Sequence, residues 1–266
     1  MVNLLKIEWW KLKNYRTFWI LFILYLGSIV GINYIVFRIQ QEIYNAKQAK
    51  GMAQLIVGDI PYSFPTVWQM TSYVSSFLLF IPGLLIIISL SNEYSYKTHR
   101  QNIIDGWNRR NFISVKMLLA ILLAAISSIF VVFTAILFGL IEGSNSFSTD
   151  KMIYIFYYFI QAVSYNMVAL LITTLVRRGG LAIGIYFLYT VVIENVLKLV
   201  LNYYFDTVGK YLPLQSADEL IPAPVFENIQ KELTKPVNYP LLYIMVALYL
   251  AAYFYFTARK FETSDL

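Results

Sequence analysis

The 266 residues are 59% hydrophobic and 17% aromatic with only 14% charged, a balance that excludes a soluble globular domain and places the chain among polytopic membrane proteins. In such a chain a net charge of +6 argues orientation in the bilayer rather than nucleic-acid binding. The absence of cysteine excludes disulfides and cysteine-ligated metals.

The sequence opens on NLLKIEWWKLKNYR. Val2, Leu5, Trp9 and Leu12 fall along one helical side, although Ile7 and Trp10 blur the pattern, so residues 1–16 are expected to form an amphipathic helix lying flat on the inner leaflet. Six apolar runs follow, each long enough to cross about 30 Å of hydrocarbon. They lie at Thr17–Phe37, Val67–Ser91, Met117–Ile141, Met152–Val176, Leu181–Tyr203 and Tyr239–Thr257. Lipid offers backbone amides no partner, so all six must be helices, and the expected fold is an all-α integral membrane protein with one domain over residues 1–266. The first run is longer than a signal-peptide core and no small-residue cleavage site follows it, which marks a retained span.

Within the second run, Pro82–Gly83 is expected to kink the helix, because proline deletes a backbone hydrogen bond. Between the second and third runs lies NEYSYKTHRQNIIDGWNRRNFISVKM, which holds the single histidine, His99. Read as a helix, it places Tyr96, Ile103 and Trp107 on one stripe with Ile104 beside it, and Thr98, Gln101, Asn102 and Asp105 on the other side. Gly106 is a natural stop. The stretch is too short to span and too polar to bury. Its apolar stripe argues for docking onto the lipid surface or a partner protein, against the plainer reading of a basic loop that fixes topology.

Gln161, Ser164, Tyr165 and Asn166 give the fourth run a polar middle suited to interhelical hydrogen bonds, and Tyr154, Tyr157 and Tyr158 suit an aromatic interface belt. In the fifth run Glu194 and Lys198 stand four apart on one helical face, where they can neutralise each other as an intramembrane charge pair. That pair reads either as structural, with Lys198 snorkelling to the surface, or as an ion-coupled site. The segment at 204–238 carries four of the eight prolines yet keeps Leu212, Leu214, Leu220 and Ile221. It reads as short helices on or dipping into the outer surface, or as an irregular loop.

Lysine and arginine mark the cytoplasmic side. Thirteen (Lys6, Lys11, Lys13, Arg16, Lys97, Arg100, Arg109, Arg110, Lys116, Arg177, Arg178, Arg259, Lys260) fall on one side and seven in the other loops. Both termini and the 92–116 loop are therefore expected in the cytoplasm of a multi-pass protein of the cytoplasmic membrane. Chemistry is sparse. Gly209–Lys210 lacks the upstream glycine of a phosphate-binding loop, one histidine cannot build a zinc pair, and no nucleophile stands beside a base. No catalytic residue, no metal site and no cofactor held by this chain are expected.

Two passages resemble a known family. In IEWWKLKNYR, Glu8 is followed by Lys11 and Leu12; in the 92–116 loop, Glu93 is followed by Thr98, the turn from Asn102 to Gly106, Arg109 or Arg110, and Lys116. With six spans, this arrangement resembles the membrane permease subunit of a type-2 ABC exporter. The resemblance implies that the loop is a coupling helix inserted into a separate ABC ATPase, with Glu93, Tyr96, Lys97, Thr98, Arg100, Asn102, Ile103, Ile104, Asp105, Gly106 and Trp107 carrying the coupling. It further implies ATP and Mg on the partner ATPase, a translocation path formed as a homodimer or heterodimer with a second permease, contact with membrane lipids, and short external helices between spans five and six. One departure is Lys97, where the family usually has glycine before the threonine. An ion-coupled secondary transporter and an intramembrane enzyme are the competing functions.

Overall fold

The computed structural model describes residues 2–45, 62–104, 106–143, 146–224 and 237–264, and every regular element among them is helical. In chain order these are α1 (Val2–Lys13), α2 (Arg16–Asn45), α3 (Val67–Ser76), α4 (Phe80–Ser95), α5 (Thr98–Ile104), α6 (Arg109–Glu142), α7 (Ile153–Val176) and α8 (Gly179–Phe187). A π-helical stretch (Leu188–Ile193), α9 (Glu194–Phe205), a 3-10 turn (Val208–Tyr211), α10 (Gln215–Asp218) and α11 (Tyr239–Thr263) complete the set. Among the described residues, five helices are long and apolar enough to cross a membrane: α2, α6, α7, the continuous Gly179–Phe205 run and α11. The pair α3–α4, bent by 46°, makes a sixth if it is one span.

The bend in that pair falls at residues 77–79, one turn before the proline that the sequence marks. Both facts have one cause. Pro82 lacks an amide hydrogen, and its ring crowds the carbonyl four residues back, that of Leu78, which lies inside the break. Past the bend the chain needs Gly83, because a Cβ there would come within 2.1 Å of Tyr186 Oη on α8.

α7 is the hub. Its most apolar stretch is 61% buried against 22% for the Gly179–Phe205 run and for α11, and it packs on α3, α4, α6, α8 and α11. Its polar middle supplies interhelical bonds, as its composition suggests: Asn166 Nδ2 donates to the Ala120 carbonyl on α6 at 2.9 Å. Tyr158 is a correction, for it is fully buried and meets Tyr25 Oη at 3.0 Å rather than joining a surface belt. Tyr157 stays nearer the surface, its Oη 2.8 Å from Tyr243 Oη.

The chain after α9 does not stay at the surface. The 3-10 turn and α10 fold back against α9, α7 and α11, burying Leu214, Gln215, Ser216, Ala217, Leu220 and Ile221. Residues 225–236 of the long segment, and most of the segment between α2 and α3, lie outside the described residues.

Candidate functional site

The two passages that the sequence singles out meet at one end of the bundle, around an ammonium group. α6 begins at Arg109 rather than at Met117, with Asn108 as its cap, its side chain accepting from the Arg110 amide at 3.0 Å. That early start carries Lys116 two turns into the helix and buries it, at 2% exposure. A lone lysine there would be costly, since a desolvated charge needs a counter-charge. Lys116 Nζ donates to Glu8 Oε2 from α1 and to Glu93 Oε1 from α4. Lys11 completes the quartet, with Nζ 2.8 Å from Glu8 Oε1 and 3.3 Å from Glu93 Oε1. Burial alone would raise the Glu8 carboxyl, but the Lys116 and Lys11 ammonium groups hold it below the usual carboxylate range. Two positive and two negative charges balance.

α1 docks differently from its drawn stripe. The side turned to the protein is Leu5, Glu8 and Leu12, while Trp9 and Trp10 are exposed. The quartet is the reason: Glu8 must face Lys116, and one helix cannot turn Trp9, roughly 100° further round, to the same side.

α5 follows Glu93 closely in the chain. Glu93 ends the last buried turn of α4, and Lys97, at φ 57°, turns the chain into α5. Left-handed backbone favours glycine, so the glycine usual in the resembling family would fit this position without strain, and Lys97 occupies it at a cost. The helix then stops as the sequence requires. Gly106 has φ 98°, its amide donates to the Ile103 carbonyl at 3.1 Å, and the Trp107 amide donates to the Asn102 carbonyl at 3.0 Å, the two bonds of a Schellman turn.

The break at Lys97 splits the apolar stripe, which assumed one unbroken helix from Tyr96 to Trp107. Tyr96 and Ile104 are each 77% exposed. Ile103 and Trp107 instead pack against the chain's own core, with Lys11 Nζ 5.8 Å from the Trp107 ring centre. His99 is buried, its Nδ1 donating to the Glu93 carbonyl at 2.9 Å and its ring edge-on to Tyr94. Thr98 and Arg100 are exposed, Asn102 is half-buried, and Asp105 lies outside the described residues.

Two further contacts tie in the last helix. Arg109 Nη1 donates to the Glu262 and Ser264 carbonyls at 2.9 and 3.0 Å, satisfying the end of α11, and Phe112 stacks on Phe261. The sequence hinted at Lys116, a lysine embedded in ISVKMLL, but nothing in its spacing announced that Arg109 caps a helix about 150 residues away.

The intramembrane charge pair does not form. Glu194 is buried and accepts from the Leu214 and Gln215 amides, while Lys198 Nζ lies 2.7 Å from Glu219 Oε1. The returning segment explains the correction, since it offers Glu194 two amides and Lys198 a carboxylate, all closer partners than each other.

No curated protein matches the chain. A family model described as ABC-2 family transporter protein matches residues 4–193, which takes in α1, the quartet, the α5 loop and the helices through most of the fifth span. The chain is a multi-pass membrane protein that belongs to the ABC-2 transporter family.

Proposed function

We propose that this chain is the permease subunit of an ATP-driven exporter, docking a separate ATPase on the α5 loop and forming its translocation path as a dimer in the cytoplasmic membrane. Family membership supports an ABC transporter permease in general. The observation that carries the finer reading is the quartet: Glu8, Lys116, Glu93 and Lys11 join α1, α4 and α6, and His99 of α5 donates to the Glu93 carbonyl, so a push on α5 is delivered to three helices at once. The loop offers a partner Tyr96, just before α5, and Ile104 at its end, with Thr98, Arg100 and Gln101 exposed between them. Both ends of the chain and this loop then face the cytoplasm, a reading that the lysine and arginine distribution supports.

The test is co-purification of the cognate ATPase and its stimulation in reconstituted membranes. Tyr96→Ala with Ile104→Ala should weaken association by roughly 2 kcal/mol or more, the usual cost of losing interface anchors, while insertion of the permease stays normal. Unchanged binding and stimulation by that variant would remove α5 as the docking element.

A further inference from the structure

At the end of the bundle away from the quartet, the returning segment is seated by two carboxylates. Glu194 on α9 takes the Leu214 and Gln215 amides where α10 begins. Asp218, where α10 ends, accepts from Gln161 Nε2 at 2.6 Å and from Tyr165 Oη at 3.2 Å, both in the middle of α7. Gln69 Nε2 holds the Pro222 carbonyl at 2.9 Å, and Gln215 Nε2 meets Asn195 Oδ1 at 3.2 Å. The seat is short of hydrogens. Gln161 Oε1, on a side chain 2% exposed, has no donor, and neither has Glu194 Oε2 at normal hydrogen-bond geometry, the Tyr189 hydroxyl being the group that faces it. Buried acceptors left without donors are costly, and the hydrogen most directly able to serve Gln161 is one carried by the adjacent carboxyl.

The charged and titratable groups around Asp218 come from every element packed on α10. α7 brings Tyr165, α9 brings Glu194 and Lys198, and α11 brings Tyr253. The 3-10 turn contributes Lys210 and Tyr211 as its titratable groups, and Glu219 follows on the same segment. Lys198 is held by Glu219, so no cation is committed to the two seating carboxylates among the contacts described. Asp218 keeps a margin of exposed surface although protein packs round its carboxyl, and this burial pushes it up to about 6 against the help of Gln161, Lys198 and Tyr165.

We propose that Asp218 is a proton-binding site: with a proton taken from water, its carboxyl donates to the Gln161 carbonyl and seats residues 212–222 in the bundle, and loss of the proton to water leaves a buried anion that loosens the segment. The sign follows from linkage. The seated state binds the proton more tightly than the released state, so rising pH favours release.

The chain has no cysteine, so a single thiol in place of the buried Ser216 reports the seating of this segment without background. Its rate of modification would be measured in the full chain in lipid vesicles from pH 5 to pH 8, relative to the same thiol in denatured chain to remove its own ionisation. Protection should fall roughly tenfold across that range, with a midpoint near 6. Added to that background, Asp218→Asn should remove the step with its midpoint near 6 while protection persists, and Glu194→Gln should leave that step in place. If Asp218→Asn does not fold, Tyr165→Phe serves instead: it removes one donor to the anion and should move the midpoint up by about half a pH unit to one unit. Flat protection in the parent chain, an unchanged dependence in Asp218→Asn, or an unmoved midpoint in Tyr165→Phe would each overturn the proposal.

Discussion

Glu8, before the first span, and Glu93, at the end of the second, accept hydrogen bonds from the same buried ammonium, that of Lys116. Neither carboxylate is complete without it: Lys11 reaches both but is one-third exposed.

Lys116→Met should therefore be the most damaging change at this junction. It leaves two buried carboxylates sharing Lys11, and removing one partner from a buried ionic cluster costs about 3–5 kcal/mol. Glu8→Gln keeps Lys116 paired with Glu93 and should cost less, about 1–3 kcal/mol. Thermal unfolding of the purified chain in detergent gives the order. pH adds a signed check, since the depressed Glu8 carboxyl contributes stability that is present above its ordinary value of 4.5 and is lost as pH falls through its lower folded value. Glu8→Gln should flatten that acid limb.

On the α5 loop, Ile103→Ala and Ile104→Ala should separate a packed side chain from an exposed one. Ile103→Ala trims a side chain seated on the chain's own core, so the isolated permease should lose about 1–2 kcal/mol, unlike the exposed Ile104. Lys97→Gly relieves a left-handed residue and should raise stability by about 0.5–1 kcal/mol. Equal unfolding midpoints for Ile103→Ala and Ile104→Ala would contradict the packing described.

Gly83 and Tyr186 form a second locked pair. Gly83→Ala forces a methyl group into the Tyr186 ring and should cost about 1–3 kcal/mol. Tyr186→Phe should be neutral or stabilising, because the buried Oη it removes has no hydrogen-bond partner. Tyr186→Leu makes room and should recover part of the Gly83→Ala loss in the double variant.

For the fifth span, a double-mutant cycle decides the pairing. Glu194 and Lys198 should show a coupling near zero, whereas Lys198 and Glu219, both partly exposed, should couple by about 0.5–1 kcal/mol. A larger coupling for the first pair than for the second would reinstate the sequence-based reading.

The spans were legible because about twenty apolar residues have few alternatives in a bilayer, and the Pro82 bend and Gly106 stop were legible because each depends on local backbone chemistry. The Tyr96-to-Trp107 stripe failed for the opposite reason: it required a straight helix, and the left-handed residues Lys97 and Gly106 set Tyr96 and Trp107 outside α5. Glu194 and Lys198 failed because helical spacing says which side chains can meet, and not which partners arrive from elsewhere. Residues 212–222 bring those partners from a segment whose prolines disguise its burial. Glu8, Glu93 and Lys116 were each visible as motif positions, yet their meeting is tertiary.

The Arg109 contacts change what can be safely trimmed. The final turns of a last helix are often treated as expendable, a place to shorten or to attach a reporter. Here a deletion from Phe261 onward would strip Phe112 of its stacking ring and free the Arg109 guanidinium at the foot of α6, one helical stretch below Lys116. The damage would surface at the start of α6, so a truncated chain that still inserts should unfold at lower temperature than the full chain.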